Sequence, residues 1–372
     1  MTWEGPVIVE ALRTPIGTAH RALAGLDAVG LAAPVLAQVA ERLARPPAEV
    51  VLGNCMGPGG DVARVAALAA GLPVETPAVT VDRQCASGLT AIELGSRLVG
   101  ADHWPVLAGG VESASSAPWR FWPPAGADAD PVRYERAPFA PTPESDPDMG
   151  LAADLLAEER RVGRRRQDEY TARSHQRAWD AARNGRFTDE LVPLAGLDHD
   201  ERVRGGMTTA RLARLPAAFR MGGTVTAGNA CGINDGAAVV ALAPASAGLP
   251  GLRVLATASA GVDPRRPGLG IVPAVRVALQ RAGLRICDLD VIEINEAFAG
   301  QVLACYDELG IDPERVCTDG GALALGHPWG ASGAVLVVRL FSRMVRQGQG
   351  RFGLAAIAAG GGQGTAVVVE AS

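Results

Sequence analysis

Four short stretches of this sequence hold the residues that could make or break a covalent bond. In "VTVDRQCASGLTAIELG", Cys85 follows a β-type run and opens a helical one. A thiol at the first turn of a helix meets unpaired N–H groups and the positive end of the helix dipole, which favour a thiolate nucleophile. The same position also suits a small residue that only fills a tight strand-to-helix corner. In "GGALALGHPWGASGA", His327 sits in a glycine-bounded loop before another helix. Its imidazole could act as the base of a thiol, or could cap the loop. "IEINEAFAG" ends a buried strand with Asn295 and Glu296. These either cap the next helix or supply an amide that orients a water or an oxyanion. Near the C-terminus, "LAAIAAGGGQG" offers glycines at 360–362 that let a backbone approach a ligand, preceded by alanines with no proton to move.

The elements around these residues alternate in type. "PVIVEA", "EVVLGN", "PAVTVD" and "WPVLAGG" read as strands, and "LDAVGLAAPVLAQVAERLA", "ARVAALAAG" and the stretch 86–99 as helices. That alternation argues for parallel strands buried between helices. From "GLRVLATASAG" onward the order repeats, through the helix "VPAVRVALQRAG", the strand "LDVIEIN" and two further helices to "FGLAAIAAGGGQG" and "AVVVEA". Small signatures repeat with it. "EVVLGN", ending at Asn54, mirrors "DVIEIN", ending at Asn295; "ASG" at 86–88 mirrors "ASG" at 331–333; "LAGGVES" at 107–113 mirrors "AAGGGQG" at 358–364. An internal duplication predicts two halves related by a pseudo-twofold, with the Cys85 and His327 corners facing each other between them.

A different region interrupts the first half. "APWRFWPPAGADADPVRYERAPFAPTPESDPD" is Pro- and Ala-rich and reads as loop, and the charged run starting "MGLAADLLAEERRVGRRRQDEY" reads as helix. The expected boundaries are 1–116 plus 222–244 for the N-terminal half, 117–221 for the insertion and 245–372 for the C-terminal half. The arginines of "EERRVGRRRQDEY" alternate with acids, the pattern of a solvated helix face.

Bulk properties narrow the classes. The chain has 372 residues and a net charge of −5, which argues against a nucleic-acid binder. All 35 basic residues are Arg, so Schiff-base and lysine-base chemistry are excluded and any phosphate falls to guanidinium or backbone. The six cysteines are scattered without paired spacing, and "MTWEGPVIVEALRTP" lacks a secretory pattern. No apolar run approaches a membrane span, and "VVVEAS" carries no retention address. A cytoplasmic protein with free thiols, no metal site and no membrane partner is expected.

Long motifs in this chain resemble the thiolases: "DRQCASGLTAIELG", "GTVTAGNACGINDGAA", "INEAFAGQ", "GGALALGHPWGASGA" and "GGGQG", together with "VIVEALRTPIG" and "QDEYTARSHQRAWDAARNGRFTDELVPL". The resemblance implies an α/β fold of five layers, α-β-α-β-α, built from two duplicated halves with an inserted loop domain that binds coenzyme A. It implies a homodimer or homotetramer, acyl-CoA thioesters as substrates, coenzyme A as substrate or product, and no permanently bound cofactor. Cys85 matches the acylated nucleophile, and His327 the histidine that activates it. Asn295 matches the residue holding the water of one oxyanion hole; the N–H groups of Cys85 and Gly360 match the second. Arg204, Leu215, Phe219, Ala227 and Cys231 fall on coenzyme A-contacting positions, and Met149 on a pocket position.

The departures carry as much weight. Thiolases have a second catalytic cysteine two residues before the glycine run, where this chain has Ala358. Cys231 stands where the family has a serine of the coenzyme A site, and Asp148 where biosynthetic members have a histidine, which brings a negative charge toward the thioester end of the pocket. The implied function is thiolase-type acyl transfer through an acyl-Cys85 intermediate. The alternative keeps that intermediate and changes the second step, to decarboxylative condensation or transfer to another acceptor such as a carrier-protein thiol. A silent subunit that binds coenzyme A stands third, and retention of Cys85, His327 and Asn295 speaks against it.

Overall fold

The structure is a computed structural model that describes residues 5–126 and 128–372. Its strands are β1 (Val7–Arg13), β2 (Gly17–Thr18), β3 (Glu49–Gly53), β4 (Ala78–Val81), β5 (Val106–Ser113), β6 (Arg120–Trp122), β7 (Val132–Tyr134), β8 (Asn234–Ala243), β9 (Leu252–Gly261), β10 (Val291–Ile294), β11 (Phe352–Ala359) and β12 (Gln363–Ala371). The helices are α1 (Ala28–Glu41), α2 (Val62–Ala69), α3 (Ser87–Leu98), α4 (Met149–Glu159), α5 (Arg164–Arg183), α6 (Thr209–Leu212), α7 (Ile271–Ala282), α8 (Ala299–Leu309), α9 (Ala322–Leu325) and α10 (Trp329–Phe341).

The sheet runs β10-β11-β12-β9-β1-β8-β5-β3-β4. In the first half β5, β3 and β4 are parallel, while β8 is antiparallel to both β5 and β1. The second half repeats the scheme, with β10 and β11 parallel and β12 antiparallel to both β11 and β9. The halves meet where β1 pairs with β9 through Val7–Arg253 and Ile8–Leu252. The parallel arrangement expected from the alternation therefore holds only for the outer strands. The short turn at 360–362, with φ of +77° at Gly361 and +78° at Gly362, reverses the chain from β11 into β12, and a tight reversal can only make an antiparallel pair.

Helices α3 and α10 form the middle layer. Their apolar residues join those of β1, β5, β8 and β11 in one buried cluster, while α1 with α2, and α7 with α8, cover the outer faces. The two middle helices touch backbone to backbone. A Cβ on Gly88 would lie 2.7 Å from the Gly330 carbonyl oxygen, and one on Gly333 would lie 2.5 Å from the Leu89 nitrogen. The repeated "ASG" is therefore a packing requirement: only glycine lets the helices that follow the Cys85 and His327 corners approach this closely.

The third repeat signature does not hold. The ladders set Gly53 beside Gly110 and Ile294 beside Ala356, so Gly110 corresponds to Ala356 inside a strand and not to the glycine turn. The stretch expected as plain loop also contains a ribbon, β6 against β7, with Trp122 stacked on Tyr134 at 4.6 Å. Buried ion pairs bolt the insertion to both halves. Arg13 on β1 reaches Glu190 at 2.8 Å and Asp200 at 2.6 Å, and Arg339 on α10 reaches Glu190 and, at 2.6 Å, Asp319.

Candidate active site

Cys85 sits in the link between β4 and α3. Gln84 just before it holds a left-handed φ of +47°, fixed by its N–H bond to Asp82 Oδ1 at 2.7 Å. A non-glycine residue in that conformation costs free energy, and the surrounding bonds hold it in place. Ser87 supplies them, donating to the Gln84 carbonyl at 2.6 Å and accepting from the Arg83 N–H at 2.8 Å. The side chain of Cys85 lines a small cavity together with Met149, Leu156, Ala297, Phe298, Gln301 and Ala358.

His327 lies in the loop between α9 and α10, 2 % exposed. Its N–H donates to Asn234 Oδ1 at 2.9 Å, Nδ1 lies 2.6 Å from Ser332 Oγ, and Nε2 lies 3.4 Å from Asn295 Nδ2. Ser332 gives its one hydroxyl proton to the Pro328 carbonyl at 3.0 Å. This network assigns the proton of the imidazole to Nδ1 and leaves Nε2 unprotonated, accepting from the Asn295 amide. Asn295 is set at the end of β10, where its N–H donates to the Ala356 carbonyl at 3.0 Å.

Burial controls the protonation of both Cys85 and His327. It pushes His327 down to about 4, so the imidazole is neutral at pH 7 and able to accept a proton. It pushes the Cys85 thiol up to about 12, with the neighbouring Cys231 and Glu112 adding to the rise. Burial therefore opposes the thiolate that a helix N-terminus favours, and α3 begins at Ser87, two residues beyond Cys85.

Glu296 is not part of this chemistry. It accepts from Tyr170 Oη at 2.6 Å, Ser174 Oγ at 2.7 Å and the Leu323 N–H at 3.2 Å, tying α5 to the loop before His327. Asp148 caps α4 by accepting from the Gly150 N–H at 2.9 Å, next to Met149 of the cavity wall.

Around the cavity, Phe219 packs on Gly150 beside Met149 and stands edge-on to Phe298 at 6.1 Å. Cys231 donates its N–H to the Ala297 carbonyl at 2.9 Å, which joins it to the same wall. Leu215 packs on Gly228 and gives its carbonyl to Arg164 at 3.1 Å, while Arg204 and Ala227 are exposed. Most other arginines of that charged run form surface pairs, such as Arg165 with Glu169 at 2.8 Å and Arg166 with Asp307 at 2.6 Å.

Sequence reasoning missed several supports: Ser332 and Asn234, which orient His327, and Glu112. The buried Glu112 carboxylate accepts from the N–H groups of Cys55 at 3.2 Å, Met56 at 3.0 Å and Gly330 at 3.0 Å, joining the end of β3 to the start of α10. Ser332 lies in the repeated "ASG", which signals the duplication and not this contact.

Comparison with known proteins decides the family. Residues 6–246 match the thiolase N-terminal domain and residues 250–371 the thiolase C-terminal domain. The chain belongs to the thiolase family. It is 42% identical to an acetyl-CoA acetyltransferase of Pseudomonas aeruginosa, over 98% of both chains. The crystal structure of the Bacillus anthracis acetyl-CoA acetyltransferase superimposes with a TM-score of 0.92 at 37% identity, covering 99% of each chain. Human mitochondrial 3-ketoacyl-CoA thiolase in complex with CoA gives 0.91 at 32% identity, covering 99% of this chain and 98% of that one. This thiolase is accordingly an acyl-CoA acyltransferase, with coenzyme A as substrate and no permanent cofactor.

Proposed function

We propose that Cys85 is the residue acylated and that His327, with its unprotonated Nε2, is the base that takes the thiol proton. The observation that carries this reading is the His327 frame, in which Ser332, Asn234 and Asn295 hold a neutral imidazole. The Cys85 sulfur attacks the thioester carbonyl as its proton passes to Nε2. The N–H groups of Cys85 and Gly360 hold the resulting oxyanion. Collapse expels the coenzyme A thiolate, which recovers the proton from the imidazolium. Asn295 orients the water that serves the second oxyanion. Arg204, Leu215, Phe219, Ala227 and Cys231 line the path of coenzyme A and Met149 the pocket, with residues 117–221 forming the inserted domain beside the halves 1–116 plus 222–244 and 245–372.

Ala358 changes the second half-reaction. Carbon–carbon bond making or breaking needs a group that moves the α-proton, and a methyl group beside Cys85 cannot do so. Losing a positioned acid/base costs about 10²–10⁴-fold in rate. Acylation and return to a thiol need no α-proton. The first half-reaction is therefore fast and the Claisen step slow, which favours a second reading in which the acyl group passes to another acceptor, a decarboxylating malonyl thioester or a carrier-protein thiol among them. Isotope exchange tests the core of both readings. Labelled coenzyme A enters acetyl-CoA with the wild-type enzyme and not with Cys85→Ala; no exchange in the wild type refutes acyl transfer through Cys85.

Self-association of the homodimer or homotetramer kind is supported by β4, whose outer edge is unpaired and carries the exposed Val79, flanked by the exposed Val65 and Leu68 of α2 and by Val74. Six unpaired cysteines support a reducing, cytoplasmic setting. Among the described residues no helix is long and apolar enough to cross a membrane.

A further inference from the structure

We propose that Glu112 is a positioning residue for acyl transfer, its carboxylate tying the turn that carries Cys85 to the first turn of α10, which follows His327. The inference rests on the reading of Cys85 as the acylated residue. Its own support is one buried oxygen. Glu112 is 0 % exposed, and its Oε2 accepts from the Cys55 N–H at 3.2 Å and from the Gly330 N–H at 3.0 Å. Those two donors come from opposite halves of the chain. Oε1 accepts from the Met56 N–H at 3.0 Å and from the Asn54 amide at 3.2 Å. All four of these partners are donors, the set that an ionised carboxylate satisfies with both its oxygens.

Each side of this bridge continues to a residue of the site. On one side the Cys55 thiol donates to the Gln84 carbonyl at 3.0 Å, directly before Cys85, and Gln84 is the residue held at a φ of +47°. A turn in that conformation persists only while its surroundings fix it. On the other side Gly330 is the third residue after His327, and two residues further on Ser332 Oγ meets His327 Nδ1 at 2.6 Å. The Gly330 peptide has no room to shift toward β5: a Cβ on Gly110 would lie 2.0 Å from its carbonyl oxygen.

The duplication gives Glu112 a counterpart. The ladders that set Gly110 against Ala356 also set Asn54 against Asn295 and Glu112 against Ala358, each the last residue but one of its strand. Ala358 lines the cavity that holds Cys85, and Glu112 stands against the start of α10. The same strand end thus faces the nucleophile in one half and fastens the helix behind His327 in the other.

The test applies two reagents to the full-length enzyme and reads both by peptide mapping after quenching at intervals. Acetyl-CoA reports acylation of Cys85, which needs the thiol, its base and the oxyanion donors in register. Iodoacetamide reports only that the thiol can be reached and can ionise, and the buried Cys305 and Cys317 report whether the core has opened. Glu112→Gln turns one acceptor into a donor that faces N–H groups. It is expected to slow acetylation about 10²-fold, the effect of a displacement of about 1 Å. Alkylation of Cys85 should hold or rise, because the Glu112 charge that opposes its thiolate is gone, while Cys305 and Cys317 stay unreacted. Glu112→Asp keeps the charge but falls one methylene short of the bridge; it should lose about 10-fold, and it decides the matter if Glu112→Gln fails to fold. Acetylation as fast as in the wild type overturns the proposal. So does a loss matched by equal loss of Cys85 alkylation, or one that comes with alkylation of Cys305 and Cys317, which would assign Glu112 to stability alone. No acetyl adduct on wild-type Cys85 overturns the acyl-Cys85 reading itself, and this inference with it.

Discussion

Ala358→Cys puts the missing thiol back where the fold has kept a place for it. Ala358 lies in β11 opposite Gly364 of β12, and its methyl group lines the cavity that holds Cys85. The substitution adds one sulfur atom to a space of about 30 Å³, so it fits without moving the strand. A positioned acid/base contributes about 10²–10⁴-fold, or 3–5 kcal/mol of barrier, and the variant should recover most of it. The assay is thiolysis of acetoacetyl-CoA by free coenzyme A, monitored by loss of the acetoacetyl-CoA absorbance. The expected result is slow turnover in the wild type, a rise of at least about 10²-fold in Ala358→Cys, and no activity in the double variant Cys85→Ala/Ala358→Cys. Acylation of Cys85 should change little, because that step moves no α-proton. Fast wild-type thiolysis with no gain in the variant refutes the reasoning and assigns the α-proton to another group, such as His327 or a water.

Other consequences can be measured separately. Ser332→Ala removes the hydrogen-bond partner of His327 Nδ1 and should slow Cys85 acylation about 10²-fold at unchanged stability, checked by quenched-flow mass analysis beside a melting curve. Acid should weaken the fold between pH 6.5 and 4. Burial holds His327 and His175 at about 4 in the native state, so below pH 6.5 the unfolded chain binds protons that the native chain does not, and stability falls until the native histidines protonate. Each contributes about 3 kcal/mol of that loss, read from urea midpoints at pH 7, 5.5 and 4, and His175→Gln should flatten the decline. Val79→Lys on the edge strand should shift sedimentation toward the monomer while leaving the secondary structure intact.

Much of the frame was legible because the duplication imposes visible constraints. The two "ASG" motifs are alike because α3 and α10 meet at glycine backbones, which brings together the starts of the helices that follow Cys85 and His327. Asn54 and Asn295 end equivalent strands for the same reason. The hidden part depends on contacts between distant stretches of the chain. The antiparallel run of β8 comes from where the chain returns after the insertion, which a strand-by-strand reading does not reveal. Glu112 joins residues of β3 and α10 that no local pattern connects. The protonation of Cys85 is not legible in sequence because a helix N-terminus is local and visible, whereas burial, which opposes it here, is a property of the whole fold. The role of Asp148 as the cap of α4 is equally hidden in the sequence.

The proposed mechanism rests on one covalent intermediate, an acyl thioester of Cys85. Rapid mixing of the wild-type enzyme with acetyl-CoA, acid quenching and peptide mapping would locate any acetyl group within one turnover. The expected result is a single acetyl thioester on Cys85, formed in a burst, slowed in His327→Ala and discharged by added coenzyme A. An unmodified Cys85, or an acetyl group on Cys231 or Cys55 in its place, would contradict the mechanism.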